Sequence, residues 1–415
     1  MRVRLDRERP EGTNDYLGRD LAHRQRLRDE VMREFSMWGY ESVETPIFEY
    51  VDTFTNGVHE GEETYFFRMF DALGRTLALR PEMTTPVARI VSTMFDQYDF
   101  PIRLAYDAKI YRSYTANPSD PIEATQTGIE LIGAFAPEAD AEMITIMIRT
   151  FKRIGVHDFV IAIGHMGLVR AILSSIDPVL AERLQSALID KDQVRYLKIC
   201  QENKNSINSE LYNAIVQLPK MRGDIEVITS LAALTLPEEA RKACEEMIAL
   251  YAILTDYHVE DAIRFDLGLY LHHDYYTGIV VEAYAQALGQ PIGLGGRYDR
   301  LLQRFGMDAP ATGFALMIER LTEVIRKKPE AIPITTIHYD DVSRHEALAF
   351  SDWLRTKELR IICEPMTIDR HADRRKNISF HEIKHDAPSA DAVIRVLQQH
   401  YVSYQKEQKG GNTSC

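Results

Sequence analysis

Lys109-Ile110-Tyr111-Arg112-Ser113-Tyr114 and Glu123-Ala124-Thr125-Gln126-Thr127-Gly128-Ile129-Glu130-Leu131-Ile132-Gly133 flank a polar turn, Asn117-Pro118-Ser119-Asp120-Pro121. Both runs read as strands, and the turn between them predicts an antiparallel hairpin. Side chains alternate along a strand, so Gln126 and Glu130 share one face. Gly128 lies between them on that face and is expected to leave room for a ligand. A buried Gln and Glu need partners, which a cationic ligand would supply. A solvent-exposed face is the alternative, because Gln and Glu are ordinary there. The residues alone leave the two open.

Upstream, Asp20 to Trp38 has helical spacing of Leu21, Leu27, Val31, Met32 and Phe35, and Gly39 ends it. Strands are expected at 40–46, 65–70, 76–80 and 102–106, with a helix over 84–95. Downstream come a helix at 140–154 and a strand at 158–164. From 166 to 257 the pattern is helical throughout, which predicts an inserted helical subdomain. Strands return at 263–269 and 275–284. Tyr298 to Phe305 is helix-like, and Thr312 to Leu316 leads into a helix ending near Lys328. Lys327-Lys328-Pro329-Glu330 reads as a linker. The first domain is thus 1–328, and 331–408 forms a small α/β unit. That unit has strands at 334–339 and 359–364 and helices at 344–357 and 390–406. Residues 409–415 are expected to be a disordered tail. Antiparallel strands flanked by helices, with a helical block inserted, predict an α+β fold.

The 415 residues are 45% hydrophobic and 27% charged, the composition of an ordinary globular chain with ample core. No apolar run is long enough for a membrane helix, so no membrane partner is expected. Six of the first nine residues are charged and no apolar core of signal-peptide length follows, which argues against export. Cys200, Cys244, Cys363 and Cys415 are scattered, which indicates neither a disulfide framework nor a zinc site. A cytoplasmic protein without a metal or other cofactor is the expectation. The net charge of −13 lowers the odds of tRNA or DNA binding, since an acidic chain repels a polyanion.

Three further stretches can carry chemistry. In Leu79-Arg80-Pro81-Glu82-Met83-Thr84-Thr85-Pro86, Glu82 can accept a hydrogen bond from a ligand ammonium. Helix capping by Thr84 or Thr85 ahead of Pro86 is the competing and commoner use. In Leu271-His272-His273-Asp274-Tyr275-Tyr276-Thr277-Gly278, adjacent histidines face opposite ways on a strand, which disfavours a shared metal. The tyrosines offer apolar walls with hydroxyl ends, or simply sheet packing. Gly293-Leu294-Gly295-Gly296-Arg297-Tyr298-Asp299 has neither a phosphate-loop nor a dinucleotide-site ending. Its glycines allow close approach of backbone to a ligand or another strand.

Taken in order, these segments resemble the class II aminoacyl-tRNA synthetase core of the histidine type over about residues 9–325. Arg9-Pro10-Glu11-Gly12-Thr13-Asn14-Asp15-Tyr16, Leu79-Arg80-Pro81-Glu82, Tyr111-Arg112, Asp274-Tyr275-Tyr276, Gly295-Gly296-Arg297-Tyr298-Asp299 and Gly313-Phe314-Ala315-Leu316…Glu319-Arg320 carry the match. The resemblance implies a six-stranded antiparallel sheet flanked by helices, and a dimer.

Two departures bear on activity. Ser113 to Glu123 contains no Lys or Arg, where the synthetase loop carries arginines. Leu271 stands where that family has an arginine beside the substrate carboxylate and α-phosphate. Losing such a group costs several kcal/mol of transition-state stabilisation. Arg112 and Arg320 remain, which leaves a vestigial nucleotide site open. With Glu82-Met83-Thr84-Thr85-Pro86-Val87-Ala88-Arg89 and Gln126 to Gly133, the chain resembles the regulatory subunits of ATP phosphoribosyltransferase. The resemblance implies a non-catalytic subunit of a glycosyltransferase complex in the first step of histidine biosynthesis. Its implied partner is the short catalytic subunit, which it activates and through which it conveys feedback inhibition by histidine, as a homodimer within a hetero-oligomer. Glu82, Thr84, Arg112, Gln126, Glu130, Tyr275 and Tyr276 are the expected histidine-binding residues, and no catalytic residue is expected. The rivals are an active histidyl-tRNA synthetase and a stand-alone histidine-binding module.

Overall fold

The strand Ile102–Tyr111 pairs antiparallel with Glu123–Ile132, from Ile102 opposite Ile132 to Tyr111 opposite Glu123. The structure is a computed structural model that describes residues 7–55, 66–96, 99–113, 121–271, 275–325, 334–365, 376–384 and 392–411. His272, His273 and Asp274, most of the loop 113–123 and the linker lie outside the described residues. The chain divides into two units, Met1–Lys328 and Pro329–Cys415.

In the first unit the hairpin sits inside a nine-stranded sheet. Six of its strands run antiparallel in succession: Ile102–Tyr111, Glu123–Ile132, Ala311–Met317, Pro291–Arg297, Ile279–Ala285 and Phe159–His165. This is the sheet the resemblance implied, extended at both sides. Glu41–Ser42 adds in parallel to Ile102–Tyr111, and Ile263–Asp266 adds in parallel to Phe159–His165. Arg222–Gly223 then closes the far edge. The strand expected over 40–46 is only Glu41–Ser42, followed by one further bond from the Val43 N–H to the Ala105 carbonyl at 2.8 Å.

One sheet face is covered by the helices Gly18–Met37 and Glu138–Ile154. The first buries Leu27, Val31 and Phe35, and Phe35 meets Phe314 of the sheet edge-on at 5.5 Å. The second is buried nearly all round and ends at Gly155, whose φ of +83° suits the left-handed cap. Between Met166 and Asp256 the chain forms six helices: 166–173, 178–189, 193–202, 209–217, 226–232 and 238–256. This block breaks only for Arg222–Gly223, which returns to the sheet. No described helix is long and apolar enough to cross a membrane.

The second unit is a three-stranded parallel sheet in the order Arg360–Pro365, Ile334–Tyr339, Lys376–Ser379. Helices Arg344–Thr356, Phe380–Lys384 and Ala392–Gly411 accompany it. Ile337, Phe350, Leu354, Phe380, Leu397 and Tyr401 form its core. The strand Lys376–Ser379 escapes sequence reading because Ile378 is its one apolar residue. The last helix runs to Gly411, through residues 409–411 of the tail expected to be disordered, and residues 412–415 lie outside the described residues. A glycine near a helix end costs about 1 kcal/mol relative to alanine, too little to stop the run of helix formers before it.

Candidate functional site

On the open face of the sheet, Glu130 is 1% exposed and accepts a hydrogen bond from the Tyr298 hydroxyl. Gly313 is its register partner, and a Cβ there would lie 2.0 Å from Glu130 Oε2. Only a glycine lets the carboxyl lie down on the neighbouring strand. Burial lifts Glu130 to about 8, against hydrogen bonds from Tyr298, Thr84 and Tyr106, and the nearby negative charge of Glu82 adds to the rise. At neutral pH this carboxyl is held mostly protonated.

Glu82 accepts the Thr85 N–H at 3.1 Å. The carboxylate, not a threonine hydroxyl, thus caps the helix Thr84–Met94, and Thr84 begins the helix. This corrects the capping roles offered to Thr84 and Thr85 by the sequence. Burial raises the Glu82 pKa, while the Thr85 and Thr84 hydrogen bonds and the charge of Arg112 oppose the rise. Arg112 Nε donates to Pro81 O at 3.0 Å, which places its guanidinium beside the Glu82 segment.

Tyr275 and Tyr276 form a wall with ring centroids 4.8 Å apart, and Tyr298 meets Tyr275 edge-on at 6.0 Å. Burial and the charges of Glu130 and Glu82 push the Tyr276 hydroxyl pKa up, so it stays a donor. The Tyr276 carbonyl accepts from Arg170 of the helical block at 2.7 Å. Glu82, Thr84, Glu130, Tyr275 and Tyr276 are therefore brought together, with Arg112 at the Glu82 end.

Gln126 lies farther along the same strand as Glu130. It is buried on the same face, and its amide donates to Met317 Sδ at 4.0 Å. Four residues of strand put it about 13 Å from Glu130, at about 3.3 Å per residue. Between them, Tyr106 lies opposite Gly128 in the hairpin. A Cβ on Gly128 would come 2.6 Å from the Tyr106 hydroxyl oxygen. The space expected to receive a ligand over Gly128 is thus filled by the Tyr106 ring. Sequence reading missed Tyr106 and Tyr298. The hairpin register that pairs 111 with 123 also pairs 106 with 128, so Tyr106 was open to inference; Tyr298 stands in the Gly295–Asp299 stretch that carries the family resemblance, which was a signal left unused.

Two carboxyls walled by tyrosines suit a small ligand carrying an ammonium or imidazole group. Among the described residues no group of His, Cys, Asp and Glu is arranged to hold a metal ion.

The histidyl-tRNA synthetase family model matches residues 12–321. Among curated relatives, the ATP phosphoribosyltransferase regulatory subunit of Geobacillus thermodenitrificans (strain NG80-2) is 35% identical over 381 residues, covering 90% of this chain and 95% of the relative. The Bacillus subtilis (strain 168) protein of the same name is 33% identical over 384 residues, covering 90% and 96%. The chain belongs to the family of ATP phosphoribosyltransferase regulatory subunits. A solved structure from Bacillus halodurans C, described as an ATP phosphoribosyltransferase regulatory subunit/histidyl-tRNA synthetase, superposes with a TM-score of 0.82 at 32% identity, covering 90% of this chain and 98% of that one. The histidyl-tRNA synthetase of Nostoc sp. PCC 7120, with a TM-score of 0.72 at 20% identity over 88% and 87% of the two chains, shows the shared class II fold. In this member of the regulatory-subunit family, Leu271 packs against the apolar core. Arg320 donates to the Pro291 carbonyl at 2.5 Å.

Proposed function

We propose that this chain is the non-catalytic regulatory subunit of ATP phosphoribosyltransferase. It binds histidine in the pocket of Glu82, Thr84, Glu130, Tyr275 and Tyr276, and acts in the cytoplasm as a homodimer within a hetero-oligomer. There it activates the short catalytic subunit, a glycosyltransferase of the first step of histidine biosynthesis, and passes on feedback inhibition. The observation that carries this reading is the pairing of a buried and a half-buried carboxyl with tyrosine walls, while an apolar side chain occupies position 271. The pocket keeps groups for binding histidine and has lost a cation that adenylate chemistry needs. What survives is binding, and binding that differs between two states of an assembly is regulation.

The test is reconstitution. The catalytic subunit alone should be less active and little inhibited by histidine. Adding this chain should raise activity and confer inhibition, with a coupling of about 5–150-fold. Glu130→Ala should keep the activation and weaken the inhibition. Histidine-dependent exchange of pyrophosphate into ATP should stay at background; robust exchange by the pure protein would instead establish an active histidyl-tRNA synthetase.

A further inference from the structure

Arg297 and Tyr298 are consecutive residues at the end of the strand Pro291–Arg297, so their side chains leave on opposite faces of the sheet. Tyr298 reaches Glu130 in the pocket. Arg297 goes to the covered face, where its Nε lies 2.9 Å from Asp140 Oδ2, with the two side chains 4% and 1% exposed. Asp140 stands in the first turn of the helix Glu138–Ile154. Nη1 of the same guanidinium also donates to Asp299 Oδ1 at 2.9 Å and to the Ala134 carbonyl at 3.3 Å.

The backbone around Arg297 ties the second pocket wall to the first. Thr277, which follows Tyr275 and Tyr276, donates its N–H to the Arg297 carbonyl at 2.8 Å. Its hydroxyl accepts the Asp299 N–H at 3.0 Å. Asp299 Oδ1 accepts the Ala311 N–H at 3.2 Å, at the start of the next strand. Residues 275–277 and 297–299 supply the pocket tyrosines, and both are fastened at one node behind the sheet.

We propose that Arg297 is a positioning residue for the pocket: held by Asp140, it sets Tyr298 against Glu130 and keeps the Tyr275–Tyr276 wall in step with it. The proposal rests on the reading that this pocket takes histidine. A buried ion pair is a poor device for stability alone, because apolar residues of similar volume often serve as well. What the guanidinium adds is direction. Its planar fork fixes three acceptors at set angles, which a point charge or a methyl group does not.

The experiment measures three quantities on the full chain: the melting temperature, the histidine Kd by calorimetry, and the Tyr298 hydroxyl proton by NMR with labelled tyrosine. In the wild type that proton should be protected from exchange by its bond to Glu130, with or without histidine. Arg297→Met strands Asp140 and should lower both stability and affinity. The double variant Arg297→Met/Asp140→Leu should regain most of the melting temperature, yet bind histidine at least tenfold more weakly and lose the protected hydroxyl proton. Arg297→Lys keeps the charge opposite Asp140 and should stay folded, with affinity reduced several-fold and the proton signal weakened. If the folded variants, Arg297→Lys included, keep the wild-type Kd and the protected proton, the role of Arg297 is structural and the proposal is overturned. If the wild type does not take up histidine, the reading of the pocket fails, while the hydroxyl proton still decides the positioning role.

Discussion

The Tyr298 hydroxyl donates to the buried Glu130 carboxyl, joining two strands that are not neighbours, with Gly313 passing between them. The bond fixes a carboxyl that burial holds at about 8, well above its ordinary 4.5. Between those values the folded chain binds a proton that the unfolded chain has released. Stability therefore falls as pH rises through this window, by up to about 1.4 kcal/mol per unit, and levels off above it. Glu130→Gln removes the titrating group and keeps its shape. Melting curves from pH 6 to 8.5 should show the wild type losing stability relative to this variant. Parallel curves would mean that Glu130 ionises as an ordinary carboxyl.

Separation within the open face predicts a split between two substitutions. Glu82→Gln should weaken histidine binding by about tenfold or more, the loss of one charge-assisted hydrogen bond. Gln126→Ala should leave the Kd within about twofold, because Tyr106 stands between Gln126 and the pocket. Calorimetry on the two variants checks this, and an equal loss in both would extend the site along the whole strand.

Tyr106 over Gly128 is a packing unit. A methyl group on Gly128 would meet the Phe314 carbonyl oxygen at 2.2 Å, so Gly128→Ala should cost about 1–3 kcal/mol. Tyr106→Ala should cost about 3–5 kcal/mol by opening a cavity. Tyr106→Phe keeps the ring and should cost much less. Denaturant titration of the three variants gives the order directly.

The proposed homodimer has a candidate surface in the small sheet of Phe48–Tyr50, Thr76–Leu79 and Arg68–Phe70. Phe48, Tyr50 and Met69 lie on one face of it by register, with exposures of 50%, 43% and 37%. Exposed apolar clusters of this kind mark contact surfaces. The double substitution Phe48→Glu/Met69→Glu should shift sedimentation from dimer to monomer without changing the circular dichroism. A dimer that persists would place the contact elsewhere.

The hairpin of 109–114 with 124–131 and the strand 334–339 were legible because their apolar patterns are local, while the strands read separately at 102–106 and 109–114 are one strand, Ile102–Tyr111. Also legible were the helical block and Glu130, which sits where alternation puts it. The room over Gly128 was misjudged because alternation tells which face a side chain takes, not what the neighbouring strand lays across it. The capping role of Glu82 depends on a loop conformation that no spacing encodes. Tyr298 entered the pocket through a strand more than 160 residues away from Glu130, a contact that only the assembled sheet reveals.

Both margins of the nine-stranded sheet are two-residue strands, Glu41–Ser42 and Arg222–Gly223, each with an exposed charged side chain. A long open margin is a template on which another chain can add its own backbone. Here the outermost strand on either side offers only two residues of ladder, with a charge beside them. Unwanted growth of the sheet into aggregates is blunted at both ends.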